Sequence, residues 1–264
     1  MPLIEANGTE LYYESSGDGT PILFLHGVLM GSRFFVKQEA LADEFQTITL
    51  DFRGHGRSAT PETGHTLPVY ARDLEAFLDA NDLDDVIVVG WSMGSLVTWE
   101  YIDQFGTDRI RGFVSVEQQP LDLKADGYDH GVFDFEELRG LMELAQTDHH
   151  ALADSFIEQM LVNNHPDVRP TLFDEIARIP PGIKSAILFD QSVRDYRDVL
   201  PKVDVPTLVC LGEDETLLET AGVEYVAKHT PDADLERFPD SSHCPFLEEP
   251  ARFNRVVADF ADRV

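Results

Sequence analysis

The chain has 264 residues, of which 43% are hydrophobic, and its 18 glycines and 15 prolines are an ordinary share. This composition excludes collagenous, coiled-coil and disordered classes and is sufficient for one large domain with a single core. The 49 acidic residues against 20 basic ones give a net charge of −29, which disfavours binding to nucleic acid or to an anionic membrane surface.

Other simple features also restrict the possible classes of protein. No apolar run is long enough to cross a bilayer, and the first residues, MPLIEANGTELYYESSGDG, contain neither a basic region nor a continuous apolar segment. We therefore expect no membrane segment, no secretory signal and a cytoplasmic location. The two cysteines, Cys210 and Cys244, form neither a disulfide framework nor a metal-ligand pattern, and we expect no metal and no cofactor.

The first third of the chain alternates short apolar runs with helical patterns. In chain order the predicted elements are a β-hairpin turning at Asn7-Gly8, a strand at 21–27, a helix at 32–43, a strand at 45–56, a helix at 68–83 and a strand at 85–90. Such alternation of strands and helices indicates an α/β protein with a mostly parallel central sheet flanked by helices on both faces.

After the strand at 85–90 the alternation continues briefly and then stops. A helix from about Ser92 leads to a strand at 110–117, but residues 118–199 show only successive helical patterns. A strand at 205–212, a helix at 217–229, a strand at 233–238 and a helix at 249–263 complete the chain. Residues 118–199, here called the helical insertion, are therefore predicted to be an inserted subdomain.

The sequence GWSMG at 90–94 places a serine between a buried strand and a helix. The pattern G-x-S-x-G is common by itself, but at a sharp strand-to-helix turn it exposes the serine hydroxyl above the sheet. The helix N-terminus also favours negative charge developing beside Ser92. We therefore predict that Ser92 is a nucleophile, with simple N-capping of the helix as the alternative.

A serine nucleophile needs a base and an acid that orients the base. Among nine histidines, His243 is the best candidate because it lies in a loop between the last strand and the last helix. His26 ends a strand and precedes a glycine, which suits a loop that binds an oxyanion. The paired His149 and His150 lack further ligands and indicate a solvated surface rather than a metal site.

These motifs, in this order, resemble the α/β-hydrolase superfamily over nearly the whole chain. The segments LFLHG, DFRGHGRS, GWSMG, the acidic turn after TLVCLG, and SSHCPFLEEP have spacings like those of the family, whose chain order is serine, acid, histidine. The resemblance implies an α/β-hydrolase fold, with a core of residues 1–117 and 200–264 and a helical cap of residues 118–199. Within the superfamily, small bacterial esterases, cofactor-free haloperoxidases or perhydrolases, and lactonases are the most similar subgroups.

The resemblance also implies roles for individual residues. His243 takes the proton of Ser92 as the hydroxyl attacks a carbonyl, and the main-chain N–H groups of Val28 and Met93 form the oxyanion hole. Phe133 and Phe156, together with Phe135 and Phe189, are candidates for an apolar substrate pocket.

Three carboxylates compete for the place of the acid. The family usually has its acid three residues after the strand-ending glycine, and counting from Gly212 this position is Glu215. Asp214 has the usual residue type but lies one position early. Glu117 ends the strand after the nucleophile, where some members carry the acid. We rank Glu215 first, Asp214 second and Glu117 third.

The expected activity is hydrolysis of a small, uncharged or weakly charged carboxylic ester through an acyl-enzyme on Ser92. Perhydrolysis, lactone opening and C–C bond hydrolysis use the same triad and are the alternatives within enzymes. A small-molecule receptor that retains the fold without catalysis is the alternative outside enzymes. The sequence carries no signal for the oligomeric state or for the particular ester.

The acidic residues are spread through the chain, and only five basic residues are lysines, which is a pattern of proteins from a high-salt cytoplasm. At about 1 M salt the Debye length is about 3 Å, so repulsion among surface carboxylates is screened. We predict that the melting temperature rises from dilute buffer to molar KCl. A melting temperature that stays level or falls would contradict this halophilic adaptation.

Overall fold

The computed structural model describes residues 3–163 and 165–264. Its eight strands form one sheet in the order β1-β2-β4-β3-β5-β6-β7-β8. The strands are β1 (Leu3–Ala6), β2 (Thr9–Ser16), β3 (Pro21–Leu25), β4 (Gln46–Leu50), β5 (Val86–Trp91), β6 (Ile110–Val116), β7 (Thr207–Gly212) and β8 (Ala233–Phe238).

Nine α-helices and two short 3₁₀ segments occupy the chain between and after the strands over the described ranges. They are α1 (Leu67–Ala80), α2 (Met93–Phe105), α3 (Phe135–Thr147), α4 (His149–Met160), α5 (Arg169–Arg178), α6 (Pro181–Ser192), α7 (Thr220–His229), α8 (Pro245–Glu248) and α9 (Pro250–Arg263), with 3₁₀ helix at Ser32–Asp43 and Leu200–Lys202. In the same ranges, no helix combines the length and the apolar character that crossing a membrane requires.

The sheet is mostly parallel, as predicted. Only β1 with β2 and β2 with β4 pair antiparallel, and the six strands from β4 to β8 in sheet order pair parallel. Every residue of β5 and β7 is buried, because helices cover both faces of the sheet, whereas β8 at the edge is mostly half-exposed. The carboxyl ends of β3, β5, β6 and β7 therefore lie side by side at one edge of the sheet.

Three predicted helices differ from the structure near their ends. The predicted helix at 32–43 is a kinked 3₁₀ stretch, with Phe35 outside helical geometry. The helix predicted at 217–229 begins only at Thr220, and the side chain of Glu215 accepts the N–H groups of the preceding turn, from Thr216 to Leu218. The terminal helix, predicted at 249–263, is α9 from Pro250, and a separate short helix that was not predicted, α8, lies before it; each of the two has a proline at its start.

The helical insertion contains α3 to α6, and no strand of the sheet lies within its described residues. The start of α3 is stabilised by a capping box, in which Asp134 accepts the N–H of Glu137 and Glu137 accepts the N–H of Asp134. The insertion touches the core at α4, where the carbonyl of Met160 accepts the N–H of His243 at 3.2 Å.

Candidate active site

Ser92 lies on a tight turn between β5 and α2. Its φ of +52° and ψ of −120° fall in a region that side-chain-bearing residues rarely adopt, so the turn is strained. Two glycines permit it: a Cβ on Gly90 would lie 2.7 Å from the main chain of Gly94, and a Cβ on Gly94 would lie 2.2 Å from the carbonyl oxygen of Leu25. The N–H of Ser92 donates to the carbonyl of Val116 at 2.9 Å, which ties the turn to β6.

His243 lies in the loop between β8 and α8 and is 3% exposed. The indole N–H of Trp91, next to the serine, donates to the carbonyl of His243 at 2.8 Å. Ser92 and His243 line the same cavity, although no hydrogen bond joins their side chains. Such bonds are often long in unliganded enzymes and shorten when substrate binds.

Of the three candidate acids, Glu215 is the one hydrogen-bonded to the histidine. Its Oε2 lies 2.7 Å from Nδ1 of His243, and both side chains are almost fully buried. Asp214 is exposed, and its N–H donates to the carbonyl of Ser241 at 3.0 Å, which holds this turn against the histidine loop. The structure therefore brings Glu215 and His243 together and leaves the side chain of Asp214 in solvent.

Glu117 lies behind this pair and is fully buried. One of its oxygens accepts the N–H of Gly212, and the other, also buried, receives no hydrogen bond from a donor in the described residues, although the carboxyl group of Glu215 lies beside it. Burial and the neighbouring negative charge of Glu215 raise the pKa of Glu117 well above its usual value. Burial opposes ionisation of Glu215 as well, but the charge and hydrogen bond of His243 and the bond from Glu117 lower its pKa overall.

The two pKa shifts are opposite in direction, so we expect a proton held by this pair of carboxyl groups to reside on Glu117 rather than on Glu215. With that proton Glu117 is able to donate a hydrogen bond to ionised Glu215, whose Oε2 accepts the Nδ1–H of His243. Ligand atoms of these three residues lie within 4.8 Å of one another, a spacing that a cation would also accept. The shared proton accounts for this proximity, and the metal-free site stays a prediction.

Of the two residues predicted to supply the oxyanion donors, the cavity lining includes Val28 but not Met93. Val28 follows β3 and lines the cavity, and Met93 is the first residue of α2. In the described residues, neither N–H donates to another main-chain carbonyl or side chain. The Val28 loop is held by buried His26, whose Nε2 accepts the N–H of Phe52 at 3.1 Å, and burial lowers the pKa of His26 to about 4.

The cavity beside Ser92 has a volume of about 90 Å³. Phe133 and Phe156 line it, as predicted, but Phe135 and Phe189 do not: they are 60% and 41% exposed, because they lie on outward faces of α3 and α6. A larger cleft of about 350 Å³, on the side of the 3₁₀ segment, contains none of the predicted site residues.

The sequence analysis missed four polar residues of the cavity, Gln118, Asp122, Gln159 and Gln191. Gln118 and Asp122 could have been predicted from their positions in the sequence, because both follow β6, the strand that pairs with β5 before the nucleophile. Gln191 carries no such signal, since only the packing of the helical insertion brings α6 to the cavity.

Comparison with known proteins agrees with this architecture. A family model described as alpha/beta hydrolase fold matches residues 20–250. The chain belongs to the α/β-hydrolase family. The chain is 29% identical to the non-heme chloroperoxidase CPO-A1 of Kitasatospora aureofaciens, over 100% of both chains.

Two solved structures are similar to the chain over nearly all of both chains. An esterase from Exiguobacterium antarcticum has a TM-score of 0.94 and 26% identity, and covers 98% of each chain. A bromoperoxidase from Bacillus anthracis has a TM-score of 0.92 and 25% identity, and covers 96% of each. The resemblance inferred from the motifs and the predicted fold class are thereby confirmed.

The position of Glu215 predicts a large effect of its amide variant. Glu215→Gln should lower kcat/KM on an activated ester by about 10³–10⁴-fold, because an amide cannot stabilise the charged imidazole. Asp214→Asn, which changes an exposed neighbour, is the matched control and should retain most of the rate. Near-full activity of Glu215→Gln together with loss in Asp214→Asn would reverse the ranking.

The proton on Glu117 predicts a pH-dependent stability. Its pKa in the folded protein exceeds the ordinary 4.5, so wild type loses unfolding free energy as pH rises above that value, by about 1.4 kcal/mol per pH unit at most. Glu117→Gln keeps a hydrogen-bond donor and an acceptor at this position but cannot ionise. Its free energy of unfolding relative to wild type should therefore increase from about pH 5 to pH 8. Denaturant unfolding measures this.

The control for that experiment is Glu213→Gln, which changes an exposed carboxylate of the neighbouring turn. Its stability relative to wild type should vary little over the same pH range. A difference between Glu117→Gln and wild type that stays constant with pH would mean that Glu117 is ionised in the folded protein.

Proposed function

We propose that the protein is a serine hydrolase that cleaves a carboxylic ester through an acyl-enzyme on Ser92. The observation that carries the proposal is that Ser92, on its strained turn, shares a cavity with His243, whose Nδ1 is bonded to buried Glu215. A serine hydroxyl is a weak nucleophile unless an oriented base removes its proton.

The mechanism follows from these positions. Because Nδ1 of His243 donates to Glu215, its Nε2 is the atom available to accept the Ser92 proton. His243 then returns this proton to the leaving alcohol and later activates the water that hydrolyses the acyl-enzyme. The N–H groups of Val28 and Met93 receive the negative charge of the tetrahedral intermediate, and Glu215 stabilises the imidazolium.

The size of the cavity favours a short substrate. Its volume of about 90 Å³ is small beside the 350 Å³ of the cleft near the 3₁₀ segment. Its wall is largely apolar and is supplied in part by the helical insertion. This arrangement supports residues 118–199 as a cap over a core of residues 1–117 and 200–264.

Perhydrolysis is a second candidate activity, favoured by the similarity to a chloroperoxidase and a bromoperoxidase. In that reaction hydrogen peroxide replaces water in attacking the acyl-enzyme and releases a peracid. The triad is the same in both reactions, so the nucleophile that reaches the acyl carbonyl decides between them.

The test is a panel of p-nitrophenyl esters of increasing acyl length, assayed with and without hydrogen peroxide. We expect kcat/KM to be highest for short acyl groups and to fall by several orders of magnitude in Ser92→Ala. A fluorophosphonate probe should label wild type at Ser92, and peracid formation in the peroxide arm would establish the second activity.

Controls separate this proposal from the alternatives. Ser95→Ala, on the same helix but bonded to the carbonyl of Gly90 rather than facing the cavity, should still be labelled by the probe. Chelation by EDTA should leave the rate unchanged, since no step requires a metal. Failure of the probe to label wild type, with no hydrolysis of any ester, would favour a non-catalytic receptor.

A further inference from the structure

One part of the cavity wall beside Ser92 is polar. Gln118 and Asp122 follow β6, and Gln191 lies in the last turn of α6. These three side chains, here called the polar cluster, are 2%, 4% and 6% exposed. Burying a polar group costs free energy unless the group has a hydrogen-bond partner. The hydrogen bonds within the polar cluster therefore show which of its donors and acceptors still lack a partner.

Asp122 has only neutral partners. Its Oδ1 accepts the amide of Gln118 at 2.9 Å and its Oδ2 accepts the amide of Gln191 at 3.2 Å. Burial raises the pKa of Asp122 to about 6, while the Gln118 bond and the charge of His243 oppose the rise. The group is therefore mostly ionised at neutral pH, and a carboxylate has about four acceptor sites, of which two are used.

Gln191 presents a second unused acceptor. Its Oε1 is buried and receives no hydrogen bond from any residue in the described ranges. Rotating the amide would direct this oxygen at the carboxylate of Asp122, so the observed orientation is the favourable one. The polar cluster thus offers the cavity unsatisfied acceptors on two side chains.

Building on the proposed ester hydrolysis at Ser92, we propose that the polar cluster is a specificity subsite that binds a hydroxyl or ammonium group of the substrate. Both groups donate the hydrogen bonds that Asp122 and Gln191 lack. A substrate carboxylate is excluded, because it would face the charge of Asp122 across an apolar cavity.

The subsite has a kinetic consequence. An ester that ends in a methyl group leaves the acceptors of Asp122 and Gln191 unpaired, whereas one that ends in a hydroxyl satisfies them. Sites built to bind a substrate hydroxyl discriminate strongly against the analogue without it, up to about 10⁴-fold. Two of the three side chains in the polar cluster are neutral amides, so we expect a smaller effect here. The kcat/KM of an ester that ends in a hydrogen-bond donor should exceed that of the matched methyl-ended ester by about 10-fold or more.

The experiment compares methyl esters matched in length that differ only at the chain end. Butanoate, 3-hydroxypropanoate and 3-aminopropanoate form the short set; heptanoate, 6-hydroxyhexanoate and 6-aminohexanoate form the long set. A further pair, propyl acetate and 2-hydroxyethyl acetate, places the donor on the alcohol portion. Hydrolysis is followed by pH-stat, and fluorophosphonate labelling of Ser92 measures the amount of active enzyme.

Two variants test the cluster itself. Asp122→Asn removes the charge at nearly constant shape and should reduce the preference for ammonium most. Gln191→Met removes the second acceptor and should reduce the preference for hydroxyl. Phe156→Leu, on the apolar wall of the same cavity, is the control: it should change the rates of matched esters together and keep their ratio.

The outcomes separate this inference from the proposed function. A donor preference in at least one matched set, diminished in Asp122→Asn and Gln191→Met but kept in Phe156→Leu, supports the subsite. If hydrolysis depends on Ser92 but the methyl-ended ester is preferred in every set, the proposed subsite is wrong. The proposed ester hydrolysis is not contradicted by that result. Absence of both labelling and hydrolysis overturns the two together.

Discussion

The close approach of α2 to the ends of β3 and β5 is the contact on which the site depends. It is possible because Gly90 and Gly94 have no side chains, and it holds Ser92 at a positive φ above the edge of the sheet. The N–H of Ser92 bonds to Val116, so the next residue, Glu117, is carried to the same edge. Strand pairing with β7 then brings Gly212 alongside.

Burial distinguishes the carboxyl groups around His243 from the many surface acids of this protein. Glu215, Glu117 and Asp122 are the carboxyl groups gathered around His243, and each is removed from solvent. The charge of each group depends on its immediate neighbours rather than on the net charge of −29. A proton on Glu117 allows Glu215 to be ionised beside it. The amides of Gln118 and Gln191 donate hydrogen bonds to the carboxylate of Asp122. Electrostatics at the site is therefore local, whereas the surface charge governs solubility and the response to salt.

The family relationship narrows the chemistry without choosing the substrate. Esterases and haloperoxidases share this fold with the chain, and the matches cover 96% or more of its length. What distinguishes such enzymes is the cavity, which here combines the apolar Phe133 and Phe156 with a polar wall. Loops and inserted helices vary more freely than the sheet, so we expect substrate choice to depend mainly on the helical insertion.

Local patterns were sufficient to predict the alternating elements, the turn at Ser92 and the loop of His243, because each depends on neighbours in the chain. The register between Asp214 and Glu215 was decided by tertiary structure: the main chain of Asp214 bonds to the histidine loop, which turns Glu215 inward. The protonation of Glu117 likewise arises from burial beside a second carboxyl group. Gln191 meets Asp122 only through packing of distant segments, and no local pattern encodes such a contact.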